Sequence, residues 1–175
     1  MTENQELFKL DKTIWTKNDF DKMGWHDSSI YGLTFLPVDE NGTTHLVFDI
    51  DYIFKWVNPI PPKEIFSFWV APCTLIFQDT FSLIINIDRQ GGTTDMLEIA
   101  DLYLVDKVEQ EANKFIYEWN IELQEGHIKF KSSGFDQIVR QKPFFTDSQC
   151  LTLDERNGIS FSTVSYTHLT LPTKA

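Results

Sequence analysis

An alternating stretch from Thr44 to Val57 constrains the fold more than any other part of the chain. Its even positions, from Leu46 to Trp56, are all large and apolar, whereas its odd positions form a mixed and partly charged set. A period of two is typical of a β-strand that packs one face on a core. Burial of each large apolar side chain contributes about 1.5–3 kcal/mol before conformational entropy is counted. We therefore predict that this strand is the central element of the fold.

Shorter segments with the same alternation predict further strands on both sides of it. These segments cover residues 29–35, 65–77, 81–87, 96–105, 115–123, 128–131 and 135–141. About eight strands at hairpin spacing predict a mainly β fold: a single antiparallel β-meander, curled or barrel- or sandwich-like, because strongly twisted sheets seldom stay flat. Pro72 lies inside one segment, and we expect a bulge or an exposed edge there because proline cannot donate to a ladder.

Two kinds of segment interrupt the strand pattern. Asn18 followed by residues 19–23 and Gly24 predicts one short N-terminal helix with Asn18 as its cap. Residues 106–113 are polar and predict a helical turn or an exposed loop, and Gly91–Thr94 predicts a loop. Beyond residue 144 we expect a short helix or a loop and then a terminal strand.

Residues 164–175 are interpreted as a non-native tail. The stretch Val164–Thr173 reads VSYTHLTLPT, which back-translates into an in-frame transposase-type sequencing adapter. The alternative is a natural threonine-rich terminal strand. We expect one β-rich domain over residues 1–163, native C-terminal residues replaced by the tail, and no functional role for His168.

The charge balance limits the classes of partner. The formal net charge is −11, and the isoelectric point is near 4.7. Nucleic acids and anionic membranes are bound through clustered lysine and arginine, so we expect neither as a partner. A basic protein partner suits this charge.

The expected compartment is the cytoplasm. Cys73 and Cys150 form neither a disulfide framework nor a metal-binding spacing. The opening residues MTENQELFKLDK lack the features of a signal peptide, and no apolar run approaches the length of a transmembrane helix. We therefore expect a cytoplasmic protein with reduced thiols, Cys73 being buried and inert.

The tripeptide Trp25-His26-Asp27 is the first candidate binding site. A histidine beside an aspartate suits a ligand, a base or a hydrogen-bonded pair. In an extended strand, however, neighbouring side chains point to opposite faces, so the two would not share one target. The alternative is a structural junction between helix and strand, with Asp27 turning the backbone.

Asp49 and Asp51 are the second candidate. They share one face of the predicted central strand, with Cα atoms roughly 6.5–7 Å apart. Such a pair suits a shared cation, with His26 or His45 as a third ligand. The alternative is a solvated face with cross-strand ion pairs to basic residues, drawn from Lys55, Lys129 and Arg140. Nothing in the spacing is diagnostic, so we assign no metal site.

Catalytic and cofactor motifs are missing from the sequence. It holds no G-x-S-x-G, H-E-x-x-H, C-x-x-C or phosphate-binding loop. We therefore assign no catalytic residue and no cofactor, and the sequence does not support enzyme chemistry. Trp56, Trp69 and Trp119 are predicted core residues; if exposed, they would mark a binding surface.

Several sequence blocks together resemble a family of small, uncharacterised bacterial proteins. The blocks are WHDSSIYG from Trp25, FDIDYIFKW from Phe48, FWVAPCTLIF from Phe68, EWNIELQEGHIKF from Glu118 and SGFDQIVRQKP from Ser133. The resemblance covers about residues 14–163 and implies no catalytic residues. The short helix, His-Asp junction and β-meander are also similar, at the level of the fold, to immunity proteins of bacterial toxin systems.

These observations favour a non-enzymatic protein-binding module, in its sharpest form an immunity-like inhibitor of a basic toxin. Its candidate binding residues are Trp25, His26, Asp27, Asp49, Asp51 and Arg140. One alternative is a small-molecule or metal-dependent enzyme using His26, Asp49 and Asp51. Another is a structural or oligomeric module that uses an exposed edge at Pro72.

Overall fold

The computed structural model describes residues 8–90 and 96–167 and confirms a mainly β fold. Its elements are β1 (Ile14–Thr16), a 3-10 helix (Lys17–Lys22), β2 (Ser28–Pro37), β3 (Thr44–Val57), β4 (Ser67–Gln78), β5 (Phe81–Ile87), β6 (Leu97–Glu111), β7 (Lys114–Leu123), β8 (Gly126–Ser132), β9 (Gly134–Val139) and β10 (Phe144–Thr146). The predicted loop at Gly91–Thr94 lies entirely outside the described residues, as do His168 and the rest of residues 168–175. Within the described ranges, no helix is long and apolar enough to cross a membrane.

The ten strands found in the described residues belong to one antiparallel sheet that is not closed. The strand order is β1-β9-β4-β3-β2-β6-β7-β8-β5, and β10 pairs with β4. The antiparallel architecture was predicted, but the strand count and the order differ in detail. The three-residue strands β1 and β10 are too short to show alternation, and β4 and β5 pair with β9 and β8 rather than with each other.

The sheet curls because two strand pairs bend together at one corner. Gln78 of β4 pairs with Gly134 of β9, and three residues later Phe81 of β5 pairs with Lys131 of β8 in the same register. At the bend, the backbone N–H of Ser133 donates to the carbonyl oxygen of Gln78 at 3.0 Å. At this corner the chain passes from β4 to β5 and from β8 to β9. The corner therefore connects the half of the sheet that contains β4 and β9 to the half that contains β5 and β8, and these two halves enclose an interior.

Aromatic side chains from both halves fill this interior. The ring centroid of Phe77 lies 4.6 Å from Phe130, 5.7 Å from Trp119, 5.7 Å from Phe135 and 6.1 Å from Phe48. All five rings are almost fully buried. Edge-to-face and tilted packing at these separations is favourable, so Phe77 joins the two halves of the core.

The central strand β3 occupies the span predicted for it. Its even side chains from Leu46 to Tyr52 are buried in the interior, as expected. Trp56 is instead exposed, which corrects the prediction of a core residue. The cause is local, because the pairing with β4 shifts between Ile53 and Lys55 and the strand continues beyond the core.

The odd face of β3 from Val47 to Ile53 and nearly all of β4 are buried as well. Every residue of β4 but the last is inaccessible, as is usual for a strand covered on both faces. Pro72 is therefore not an exposed edge. Strand β10 pairs with β4 up to Val70, and β9 pairs with β4 from Cys73 onward. Pro72 lies between these two pairings, so its missing N–H removes no hydrogen bond from either.

A C-terminal segment, residues 147–163, covers this outer face with turns and irregular backbone rather than the expected terminal strand. Leu151 packs with the buried side chains of Ile53, Phe68 and Val70, and Phe161 packs against a second outer cluster. In the segment interpreted as a non-native tail, the backbone N–H of Tyr166 donates to the carbonyl oxygen of Val139 at 3.0 Å.

Local signals at the N-terminus and in β6 differ from the sequence prediction. Thr16, not Asn18, caps the 3-10 helix: its Oγ1 accepts from the N–H of Asn18 at 3.2 Å, and Asp19 Oδ2 accepts from the N–H of Thr16 at 2.9 Å. Residues 106–111 continue β6 instead of forming a helical turn or loop. They are polar because this part of the β6–β7 hairpin is exposed.

We expect the two cysteines to react at very different rates. Cys73 is fully buried, and burial raises the pKa of its thiol, so little reactive thiolate forms. Cys150 is only half-buried. Timed alkylation followed by mass spectrometry should find a single label, at Cys150, in the native protein and labels at both cysteines in urea. Equal native rates would contradict the buried position of Cys73.

Candidate functional site

The structure places Trp25, a predicted binding residue, in the core. Its indole ring is almost fully buried and stacks with Phe20 at 5.7 Å. Its Nε1–H donates to Oε1 of Gln137 at 2.8 Å, so the polar atom is satisfied inside the protein. Trp25 therefore holds the helix-to-strand junction in place and is not accessible to a partner.

Asp49 and Asp51 lie on the outer face of β3, but the C-terminal segment seals them from solvent. Both carboxylates are fully buried. Arg156 forms a two-pronged pair with Asp49, with N–O distances of 2.6 and 2.8 Å, and its Nε–H donates to Asp51 at 3.2 Å. Arg140, one of the basic partners offered by the sequence, donates to Asp49 at 2.6 Å. We call these four residues the buried ion cluster.

Backbone groups complete the hydrogen bonding of the buried ion cluster. The N–H of Leu151 donates to Asp51 at 2.7 Å, and the N–H of Ser160 donates to Asp49 at 2.9 Å. The Arg156 guanidinium lies 3.6 Å from the ring centroid of Tyr31, and the Tyr31 hydroxyl donates to the carbonyl of Leu151. Buried charges persist when they are paired and hydrogen-bonded in this way. The cluster fastens the C-terminal segment to the sheet.

The cluster has little chemical capacity of its own. Burial raises the pKa of the Asp51 carboxyl, although the Leu151 N–H and Arg156 oppose this shift. The cations and N–H groups occupy the carboxylate oxygens that a metal ion would need. Across residues 8–90 and 96–167, no group of three or more His, Cys, Asp or Glu side chains is placed to hold a metal.

His26 and Asp27 lie apart from the buried ion cluster, at the surface. The His26 ring stacks on exposed Trp56 with centroids 6.2 Å apart, and its Nδ1 lies 3.0 Å from the carbonyl oxygen of Ala100. Asp27 has a φ of +62°. This turn brings its carboxylate to 3.5 Å from His26 Nε2, which differs from the expected divergence in an extended strand. Gln149 donates to Asp27 at 2.8 Å, so this pair also anchors the C-terminal segment.

Sequence reasoning missed Arg156, the residue that organises the cluster. It lies in an irregular segment, where no periodicity shows which face a side chain takes. A usable signal was present: Asp49 and Asp51 alternate with large apolar residues in the middle of the predicted central strand, and carboxylates that become buried need a cation. Arginine suits that role because its planar fork binds carboxylates with two hydrogen bonds.

The C-terminal segment leaves the continuation of the outer face on β6 and β7 uncovered. There Asp101 pairs directly with Glu122, and Asp106 pairs directly with Glu118. Between these two like-charge pairs lies Tyr103, which is 45% exposed. Lys131 of β8 approaches Glu118 only to 3.9 Å. We call these five residues of β6 and β7 the acidic face.

Comparisons with known proteins identify no relative from which a function can be transferred. No protein-family model, no curated protein and no solved structure matches the chain.

Proposed function

We propose that this chain is a non-enzymatic, cytoplasmic protein-binding module that binds a basic protein through the acidic face. Its most specific form is an immunity-like inhibitor of a basic toxin, which follows the fold-level similarity of the short helix, His-Asp junction and β-meander to immunity proteins. The observation that carries the proposal is the pair of like-charge contacts on either side of exposed Tyr103.

Electrostatics supports a basic partner. Like charges directly opposite each other destabilise an antiparallel ladder. The acidic face therefore lowers the stability of the fold, and binding of a cationic partner offsets this loss. The net charge of −11 also steers a basic protein towards the chain and raises its association rate.

Tyr103 supplies an anchor between the carboxylates. Tyrosine is enriched among the residues that dominate binding energy, because it combines a rigid apolar ring with a polar hydroxyl. Partial desolvation and the Glu122 and Asp101 carboxylates raise the pKa of Tyr103. Its hydroxyl therefore stays protonated at neutral pH and remains a hydrogen-bond donor.

The positions of the other candidate residues fit binding better than catalysis. Asp49 and Asp51 are closed off by Arg156, whereas His26 lies at the surface against Trp56. The three side chains that the enzyme alternative needs are thus divided between a sealed cluster and an exposed junction.

The double variant Glu118→Lys/Glu122→Lys tests the proposal. Each new lysine faces an aspartate across the β6–β7 ladder, whereas the lysine at position 118 also faces Lys131 across the β7–β8 ladder. The gained and lost charge pairs are exposed and should roughly offset each other, so we expect folding to change little. We expect affinity for a basic partner captured from the native host and identified by mass spectrometry to fall at least about tenfold.

The matched control is Glu40→Lys/Glu64→Lys, which changes the net charge equally at two exposed positions outside the acidic face. It should retain the partner. Recovery of no basic protein by the wild-type chain, or equal loss of binding in both double variants, would reject the proposal.

A further inference from the structure

Strand β5 ends the sheet with an unprotected edge. It pairs with β8 on one side, and no strand in the described residues pairs with its other side. Residues Phe81–Ile87 carry no charge, and four of their apolar side chains are more than one-third exposed: Phe81, Ile84, Ile85 and Ile87. Natural proteins usually blunt such edges with charges or proline, because unpaired N–H and C=O groups attract another strand.

The regular part of β5 is complementary to itself. Pairing with β8 shifts between Phe81 and Ile84, so regular geometry begins after this bulge. Ile85 pairs with Ile128, a core residue, and alternation places Leu83, Ile85 and Ile87 on this inner face. An antiparallel copy centred on Ile85 therefore sets Ile85 opposite itself and Ile84 opposite Asn86 in the regular part of the strand. Leu83, which lies at the bulge and packs against the core, comes opposite Ile87 and extends the apolar layer.

The charge distribution permits two copies of an acidic chain to meet at this edge. The neighbouring strand β8 presents Lys129 and Lys131 on its outer face, and the acidic face begins only on β7. At about 4.8 Å per strand, the β7 strands of two joined sheets are roughly 24 Å apart. This exceeds the Debye length of about 8 Å at physiological salt, so repulsion between the acidic faces is largely screened.

We propose that β5 of one copy pairs antiparallel with β5 of a second copy, about a two-fold axis at Ile85, and joins two sheets into one. The occupant of the edge is thus another molecule of this chain. A contact of five residues a side is small beside standard interfaces, so the dimer forms reversibly with concentration. Because the chain is acidic, lowering the salt below the physiological level weakens it.

Sedimentation velocity of the full chain over a concentration series tests the proposal, with Ile85→Lys as the disrupting variant. Two lysines would face each other on the axis, and a lysine at an edge strand is a natural block to pairing. The matched control Leu36→Lys changes an equally exposed residue of β2, with 42% exposure against 43% for Ile85. We expect wild type and control to dimerise and Ile85→Lys to remain monomeric.

A crosslinking variant keeps the test decisive if Ile85→Lys folds poorly. In a Cys150→Ser background, Ile85→Cys should form a disulfide-linked dimer under mild oxidation, because directly opposite strand residues lie within disulfide reach. Leu36→Cys in the same background should not. A wild-type chain that is monomeric up to its solubility limit, or equal crosslinking of both cysteine variants, would overturn the proposal.

Discussion

Replacement of Arg156 by methionine is expected to destabilise the fold by about 3–5 kcal/mol, the usual cost of removing one partner from a buried ion pair. Arg156 is fully buried and holds both Asp49 and Asp51, so the variant leaves carboxylates in the interior with Arg140 as their nearest cation. Since domains are stable by only about 5–15 kcal/mol, much of the native stability is lost. Urea unfolding followed by tryptophan fluorescence measures the change.

Two further variants separate the buried charge from a general effect of losing an arginine. Arg89→Met removes an arginine whose ion pair with Glu125, at 2.7 Å, is partly exposed, and it should cost less than about 1 kcal/mol. Adding Asp49→Asn and Asp51→Asn to Arg156→Met should restore part of the stability. If Arg156→Met lowers the free energy of unfolding no more than Arg89→Met does, the buried ion cluster does not fasten the C-terminal segment to the sheet.

The cost of Arg156→Met should also depend on pH. Burial already raises the pKa of Asp51 in the native chain, and loss of the guanidinium raises it further. A folded-state pKa above the unfolded value means that stability is retained below the unfolded value and lost as pH rises through the folded one. Unfolding at a series of pH values should therefore find the largest deficit at neutral pH and a smaller one in acid.

The parts of the fold that sequence predicted are those with a regular period. β3 was found over its full length because Leu46 to Tyr52 alternate large apolar residues with others, and one face does pack on the core. The same rule predicted Trp56 to be buried. It failed there because a shift in pairing, which depends on the partner strand β4, ends the regular face.

The parts that sequence missed depend on contacts between distant segments. A carboxylate-bearing face such as that of Asp49 and Asp51 predicts solvent exposure, yet the C-terminal segment covers it. That segment has no alternation, so nothing local identified Arg156 as its anchor. The sequence did not predict the acidic face for a similar reason, because the pairing of Asp101 with Glu122 depends on the bulged register of β6.

Truncation of Phe77 to alanine is the second variant expected to have a large effect, again about 3–5 kcal/mol of lost stability. Its ring contacts Phe48, Trp119, Phe130 and Phe135 at the corner where β4 leads into β5. Alanine leaves a cavity between the two halves of the sheet, and packed rings on every side limit its collapse. Urea unfolding measures the stability. The near-ultraviolet circular dichroism of the chain minus that of its Trp119→Phe variant isolates the signal of Trp119 among the five tryptophans and reports its packing.

Phe35→Ala is the matched control for Phe77→Ala, because it deletes the same side chain from an exposed position on β2 and should change stability by at most about 0.5 kcal/mol. The packing of Phe77 between the two halves predicts more than a loss of stability. If its ring joins the two halves, Phe77→Ala should weaken the near-ultraviolet signal of Trp119 on β7 although the substitution is on β4. A cost near that of Phe35→Ala, with the Trp119 signal intact, would mean that the two halves pack independently of this ring.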